Sequence, residues 1–188
     1  SYAQAAAMAM GRAMDDVIIA AATGTASTGE TGSGSESAQT AIAASVGSTT
    51  GLNIPKLAKA KETFDLASVD PSIPRHIIVS PEQINNLLNV TEVTSSDFNT
   101  VKALVQGEID TFLGFKFTVS NRLAKSGNDR TCIAFAQDGI TLAIGKDVNA
   151  RIDERADKSY ATQVYYCMSI GATRMEQAKV LGITCTEA

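Results

Sequence analysis

The chain has 188 residues, of which 44% are hydrophobic and 19% charged, and its formal net charge is −4. This composition is typical of a globular protein and excludes an intrinsically disordered one. The longest strongly apolar runs, such as residues 17–22, are too short to cross a bilayer, so no membrane contact is expected. Because the net charge is negative and the sequence has no Lys/Arg stripe, recognition of nucleic acid through its phosphates is excluded as well.

The histidine and cysteine content argues against catalysis and against metal binding. His76 is the single histidine and no nucleophile motif accompanies it, so we expect a structural or surface role for its side chain. An odd number of cysteines without CxxC spacing argues against a zinc site and a disulfide framework: Cys132, Cys167 and Cys185. We therefore predict no catalytic residue, no metal, no cofactor, and three reduced, mostly buried thiols.

Residues 2–22 predict one long helix. Gly24 follows the last apolar residue and is a natural helix end. Arg12 and Asp16 lie one turn apart on one face. An apolar side chain recurs at every fourth position and forms a stripe on another face: Tyr2, Ala6, Met10, Met14 and Ile18.

Residues 23–37 are rich in Gly, Ser and Thr and carry almost no apolar side chains. Such a segment cannot offset the entropy lost on ordering, so we predict a flexible loop. Its glycines are not followed by Lys-Ser/Thr and no apolar strand precedes them, so a phosphate-binding loop is not expected.

Residues 40–80 predict strand, helix and strand in that order. A short strand is predicted at residues 40–44 and a buried one at residues 76–80. Asn53 and Pro55 mark the start of the helix between them. Its inward face is expected to consist of Leu57, Ala60, Phe64 and Ala67.

Two further helices are predicted next. Ser80, Pro81 and Gln83 form a capping-box pattern, in which the Gln83 side chain is expected to reach back to the Ser80 amide. The buried face of this helix is predicted to be Ile84, Leu87 and Leu88. Residues 96–105 predict the last helix, which Gly107 would end.

The second half of the chain predicts strands. Apolar and polar residues alternate over residues 115–119, 148–153 and 164–170, and further strands are predicted at 131–136 and 180–185. Residues 121–130 predict an exposed loop. Asp138-Gly139 favours a hairpin, and residues 140–144 are compatible with either a strand or helical turns. Helices come mainly first and strands mainly later, which indicates the α+β class.

Acidic and basic residues alternate closely in one segment near the C-terminal third. Asp153, Glu154 and Asp157 are interleaved there with Arg151, Arg155 and Lys158. This mixed pattern is typical of a solvated, salt-bridged strand edge and not of a catalytic carboxylate pair.

The order of these elements resembles the major capsid proteins of tailed phages, which have the Hong Kong 97 type fold. The resemblance rests on a long Ala/Met helix ending in DDVIIAAATG, on LAKAKETFD followed by RHIIVSPEQ, and on the strand motif FLGF followed by VS. Arg151-Ile152-Asp153, a long strand, Gly171-Ala172-Thr173-Arg174 and Val180-Leu181-Gly182-Ile183 are similar to the closing strands of that family.

The resemblance implies a spine helix, a peripheral (P) domain at residues 1–37 and 148–175, and an axial (A) domain with a central sheet at residues 38–147 and 176–188. It further implies a structural protein, not an enzyme, that assembles with itself into pentamers and hexamers in the host cytoplasm. The resulting icosahedral shell of the virion would enclose double-stranded DNA without sequence-specific contact. Scaffolding, portal or decoration proteins are further expected partners. The candidate residues for subunit contacts are Arg12, Asp16, Arg151, Asp153, Arg155 and Arg174.

One difference from the family limits these expectations. The family carries an N-terminal arm and a long hairpin before the spine helix, whereas this chain begins within that helix. We therefore expect the 188-residue chain to fold but to assemble poorly by itself. The alternatives are an encapsulin-type compartment shell, a small α+β enzyme and a tail or adhesion component of a phage particle.

Overall fold

The computed structural model describes residues 2–36, 40–47, 51–89 and 111–187. Three helices lie in these residues: α1 (Tyr2–Thr23), α2 (Ile54–Leu66) and α3 (Pro81–Asn89). The strands of the first half are β1 (Ala26–Thr28), β2 (Gly34–Glu36), β3 (Thr40–Ile42) and β4 (Arg75–Val79). Those of the second half are β5 (Thr111–Phe112), β6 (Phe115–Val119), β7 (Lys125–Ser126), β8 (Asp129–Ala136), β9 (Ile140–Arg155), β10 (Ala161–Arg174) and β11 (Val180–Thr186). The helix predicted at residues 96–105 and its end at Gly107 lie outside the described residues.

A mixed seven-stranded sheet forms the centre of the described structure. Its strands follow the order β3-β11-β8-β4-β6-β5, and β7 pairs with β8 at the side. The pairs β3–β11 and β4–β6 are parallel, whereas β11–β8, β8–β4 and β5–β6 are antiparallel. Because β11 lies between β3 and β8, segments that are far apart in the sequence form one core.

The core packs α2 against this sheet. Asn53 caps α2 by accepting a hydrogen bond from the Lys56 amide (2.9 Å), as predicted. Leu57 and Phe64 are fully buried, and the Phe64 ring lies 6.1 Å from that of Phe115 on β6. The prediction for Ala67 was wrong, because α2 ends at Leu66 and leaves Ala67 exposed.

The capping box predicted at the start of α3 forms only in half. The Gln83 amide donates to Ser80 Oγ (3.4 Å), but the Gln83 side chain does not reach back. Its Oε1 instead accepts from the Leu52 amide (2.9 Å), and its Nε2 donates to Glu187 (3.3 Å). Gln83 is fully buried, so these long-range contacts satisfy an amide that would otherwise lose its hydrogen bonds.

Three loop predictions differ from the structure. Residues 23–37 were predicted to be a flexible loop, but β1 and β2 pair there in an antiparallel hairpin, because backbone pairing does not require apolar side chains. Residues 121–130 contain the short strand β7 and the buried Leu123, and β8 already begins at Asp129. Asp138-Gly139 does not close a hairpin: β8 belongs to the central sheet, whereas β9 pairs with β10. The open alternative at residues 140–144 is resolved as a strand.

The cysteines lie in or beside the core as free thiols. Cys132 on β8 and Cys185 on β11 are fully buried, and Cys167 on β10 is half-buried. The contact with Cys185 and burial both raise the pKa of the Cys132 thiol, which therefore stays protonated at neutral pH.

Glu187, which follows β11, forms hydrogen bonds and ion pairs with other parts of the core. Its carboxylate is only 1% exposed and accepts a hydrogen bond from Ser80 Oγ (2.8 Å). Arg130 Nε (2.7 Å) and Lys125 Nζ (3.2 Å) form ion pairs with it. Burial by itself raises the pKa of this carboxyl, but the hydrogen bonds and cations outweigh burial and lower its pKa from 4.5 to about 2.

We expect this carboxylate to make folding stability depend on pH. A pKa that is lower in the folded state gives stability that is complete above pH 4.5 and is lost as the pH falls towards 2. The substitution Glu187→Gln should therefore reduce the free energy of unfolding at pH 7 by about 3 kcal/mol and much less at pH 3. Urea denaturation of both proteins at the two pH values measures the difference. Glu30→Gln, at an exposed hairpin position, is the matched control, and an equal loss in both variants would contradict the prediction.

Candidate subunit interface

The strands β9 and β10 form a long two-stranded ribbon beside the central sheet. Ile152 lies opposite Val164, and Arg151 lies opposite Tyr165. Because side chains alternate along a strand, the ribbon has two distinct faces. One groove on the first face is lined by Lys146, Asn149, Arg151, Asp153, Gln163, Tyr165 and Cys167. A recess on the other face is lined by Thr162, Val164 and Tyr166 of the ribbon and Ala6 of the helix.

Helix α1 lies over this second face, mainly against β10. The stripe predicted from its fourfold spacing is the packed side: its members Ala6, Met10, Met14 and Ile18 are half-buried. Towards the C-terminal end of the helix, Ile19 is buried and Ala22 is fully buried. Burial thus increases along α1 towards its C-terminal end, while residues 3–5 and 7–9 are exposed.

Arg174, at the end of β10, joins the ribbon to the C-terminal end of α1. Its side chain is 3% exposed. Its Nη1 donates to the carbonyl oxygens of Ala22 (3.3 Å) and Gly24 (3.0 Å), and its Nη2 donates to that of Glu36 (3.4 Å). A cation at this end of a helix satisfies free carbonyls and interacts favourably with the helix dipole. Arg174 was predicted to contact another subunit, but its burial assigns it to the interior of this one.

Asp16 has its partner in the same chain. Both of its carboxylate oxygens accept hydrogen bonds from Arg122, in the turn after β6. These hydrogen bonds lower the pKa of Asp16 and raise that of Arg122. The pair therefore connects α1 to the central sheet across 106 positions of sequence.

The other candidates lie on exposed surface. Arg155 donates from Nε to Asp157 (2.9 Å) at the tip of the ribbon, and this hydrogen bond lowers the pKa of Asp157. Within the described residues, Arg12, Arg151 and Asp153 have no hydrogen-bond or ion-pair partner. All four side chains remain predicted subunit contacts.

Apolar side chains are exposed along the outer part of the ribbon. Ile152 is 66% exposed and Tyr160 is 71% exposed. Tyr160 also has a φ of 58°, in the left-handed region that a bulky residue rarely adopts. The other exposed large apolar side chains of the ribbon are Ile144, Val148, Val164 and Tyr165. A two-stranded sheet with such a surface gains little stability by itself, so the outer ribbon is suited to contact a partner.

Sequence reasoning did not single out Ile152 and Tyr160 as contact residues. The signal for Ile152 was present, because it stands between Arg151 and Asp153 in an alternating strand. Its exposure, however, depends on how the described elements pack on the ribbon, which the alternation within one strand does not indicate. No local pattern indicated the left-handed backbone of Tyr160.

Outside the ribbon, the single histidine has a packing role. His76 stacks on Phe135, with 5.5 Å between the ring centroids. Burial and the nearby Lys116 lower the pKa of His76, so the ring is neutral at pH 7. The described part of the chain contains no cluster of three His, Cys, Asp or Glu side chains suited to hold a metal ion. Among the described helices, none has the length and hydrophobicity needed to span a membrane.

Comparison with known proteins identifies the architecture. A model of the phage capsid protein family matches residues 1–187. The chain belongs to the phage capsid protein family. A search of curated proteins found no match.

Solved structures show the same fold. The structure from Mycobacterium phage Che8 is 19% identical, with a TM-score of 0.70, and the match covers 97% of this chain and 61% of that one. The capsid of cyanophage P-SCSP1u is 17% identical, with a TM-score of 0.64 and coverage of 98% and 66%. An encapsulin from Synechococcus elongatus is less similar: 8% identity, a TM-score of 0.51 and coverage of 79% and 53%. The capsid protein thus has the Hong Kong 97 type α+β fold, as expected, and spans somewhat less than two thirds of these phage chains.

We expect Arg174 of this capsid protein to contribute substantially to folding stability. Arg174→Met removes the donors of three carbonyl groups at a buried junction and should lower the free energy of unfolding by about 2–4 kcal/mol. Arg12→Met, which replaces an exposed arginine of α1, is the matched control and should change stability little. Equal unfolding midpoints for the two variants in urea would contradict the structural role of Arg174.

Proposed function

We propose that the chain is a structural subunit of a closed icosahedral shell that encloses double-stranded DNA. The observation that carries the proposal is the outer ribbon, which exposes large apolar side chains and has no covering element among the described residues. In a shell, each such surface is repeated by symmetry, so many weak contacts together stabilise the particle. No catalytic step is part of this function.

Two parts of the described structure correspond to the two proposed domains of the subunit. The ribbon, α1 and the β1–β2 hairpin meet at Arg174 and would form the peripheral domain. The seven-stranded sheet with α2 and α3 would form the axial domain, whose copies surround the symmetry axes of pentamers and hexamers. The domain boundary predicted at residue 148 falls inside β9, which begins at Ile140, so we propose the turn at Asp138-Gly139 as the boundary.

The negative net charge of the chain is compatible with enclosing DNA without binding it tightly. With a net charge of −4, the protein would not bind the packaged duplex tightly, so DNA would be enclosed without sequence-specific contact. Assembly would take place in the cytoplasm of a bacterial host and the product would be the virion capsid. Scaffolding, portal and decoration proteins are proposed as further partners.

The proposal is tested by expressing the gene that encodes this chain in bacteria and examining the product by gradient sedimentation and electron microscopy. We expect the product of the complete gene in closed particles, whereas the 188-residue chain alone is expected to assemble poorly. In virions these particles should protect double-stranded DNA from nuclease. Particles that contain a protein cargo in place of DNA would identify an encapsulin-type compartment. A product that stays monomeric in the presence of all proteins of its particle would contradict a shell function.

The role of the ribbon can be separated from folding. The double substitution Ile152→Ser and Val164→Ser removes two exposed apolar side chains from one face of the ribbon and should strongly reduce particle yield with little change in thermal stability. Leu66→Ser changes a side chain of similar exposure on α2 and is the matched control. Unchanged particle yield for the double variant would show that the ribbon face is not a contact surface.

A further inference from the structure

We propose that Lys179 is the centre of an electrostatic lock that holds the ribbon at one angle to the central sheet, and that this angle sets the curvature of the shell. The second contact of the lock is the ion pair between Asp16 and Arg122. The inference about curvature rests on the proposed shell function, whereas the lock itself is a property of the single chain.

The ribbon and the central sheet are joined where two connecting segments of the chain run side by side. One segment is residues 137–139, between β8 and β9, and the other is residues 175–179, between β10 and β11. The Met175 amide donates to the Gly139 carbonyl oxygen (2.9 Å), next to the pair that Arg174 forms with Ile140 in the ribbon. Short connections of this kind act as a hinge unless other contacts restrain them.

Lys179 restrains this junction through one ion pair to each segment. Its Nζ lies 2.7 Å from Oδ2 of Asp138 on the first segment and 3.0 Å from Oε2 of Glu176 on its own segment. The Lys179 side chain is 23% exposed, so it is held between the segments and does not extend into solvent. The cation therefore draws the two segments together.

Gly139 allows the two segments to approach closely. A Cβ at this position would lie 2.9 Å from the Lys179 carbonyl oxygen and 3.1 Å from that of Ala136. Both are backbone atoms, so any side chain would push the segments apart. The Asp138-Gly139 pair is thus the crossing point of the junction, where glycine provides the close approach and aspartate provides the charge for Lys179.

A second ion pair connects the same two parts at another place. Asp16 lies on α1, which packs on the ribbon, and Arg122 lies in the turn after β6 of the central sheet. Both carboxylate oxygens of Asp16 accept hydrogen bonds from the Arg122 guanidinium. Bidentate pairs define orientation as well as distance. Two restraints at separate places fix an angle, whereas one restraint alone leaves more freedom to rotate.

The angle between ribbon and sheet bears directly on assembly. In the proposed subunit the two parts each contact neighbouring subunits, so their relative orientation determines the angle between those neighbours. A symmetric shell repeats this angle at every subunit, and the angle thereby determines the diameter of the particle. Because the ion pairs are partly exposed and individually weak, the lock favours one angle, leaves others accessible and depends on salt.

A distance measurement in the unassembled 188-residue chain tests the lock. Spin labels on Asn85→Cys of α3 and Glu154→Cys of the outer ribbon, both at exposed positions, report the distance between the two parts by pulsed electron paramagnetic resonance. Cys167→Ser removes the half-buried native thiol, and Cys132 and Cys185 are fully buried. We expect one narrow distance distribution at low ionic strength.

Replacement of the cations should broaden this distribution. Lys179→Met removes the charge but keeps a side chain of similar length, and it should raise the population at other distances about threefold. Adding Arg122→Met should raise that population about threefold again, because it removes the second contact. Lys179→Arg keeps the charge and is the matched control, so its distribution should equal that of the unsubstituted chain. A distribution that the Lys179→Met and Arg122→Met double variant leaves unchanged would overturn the lock.

Two further measurements do not depend on how well these variants fold. Salt at about 1 M shortens the screening length to about 3 Å and should broaden the distribution of the unsubstituted chain. Gly139→Ala should displace the main distance, because it separates the backbone of the two segments. No broadening in high salt, or an unchanged main distance in Gly139→Ala, would contradict the lock.

Failure of the lock is distinguishable from failure of the shell function. Particles from the complete gene with Lys179→Met should have a wider range of diameters in electron micrographs than particles with Lys179→Arg. Uniform diameters despite a broadened distance distribution would overturn the link between the lock and curvature. If the unsubstituted gene product forms no particles while the distances respond as expected, the shell function is wrong and the lock stands.

Discussion

The ribbon, the long helix and the hairpin of this protein meet at one buried guanidinium. Arg174 donates hydrogen bonds to carbonyl groups at the end of α1, at Gly24 and at Glu36 of the hairpin. These groups are distant in sequence and would be costly to bury without a partner. Arg174 therefore fixes the C-terminal end of α1 on β10, and among the described residues no element covers Ile152 and Tyr160 of the outer ribbon.

The two parts of the subunit are held by different kinds of interaction. The central sheet is held by buried strands and by the Glu187 carboxylate with its surrounding donors. The ribbon has no comparable core and depends on α1 on one face. Between the two parts, the Asp16–Arg122 pair is exposed and bidentate, so it orients α1 more than it stabilises it.

Local signals in the sequence predicted much of this fold. The fourfold spacing of Ala6, Met10, Met14 and Ile18 identified the packed side of α1, and Asn53 with Pro55 identified the start of α2. Alternation of apolar and polar residues identified most strands, and the order of these elements indicated the capsid family. All of these depend on neighbours within one or two turns or along one strand.

Features that depend on distant residues were predicted poorly. The side chains of Gln83, Asp16 and Arg174 bind partners 31 to 152 positions away, so their roles are decided by the tertiary structure. For the same reason local patterns did not indicate that Arg174 is buried within its own chain or that Asp16 pairs with Arg122, whereas Arg151 and Asp153 stay predicted subunit contacts.

The central claim is that the outer ribbon is a surface through which subunits contact one another on assembly. Hydrogen–deuterium exchange of the backbone amides, compared between unassembled protein and assembled particles, tests it most directly. We predict rapid exchange at residues 148–165 before assembly and strong protection afterwards, with little change in β8 and β11. Equal exchange at residues 148–165 in both states would contradict the claim.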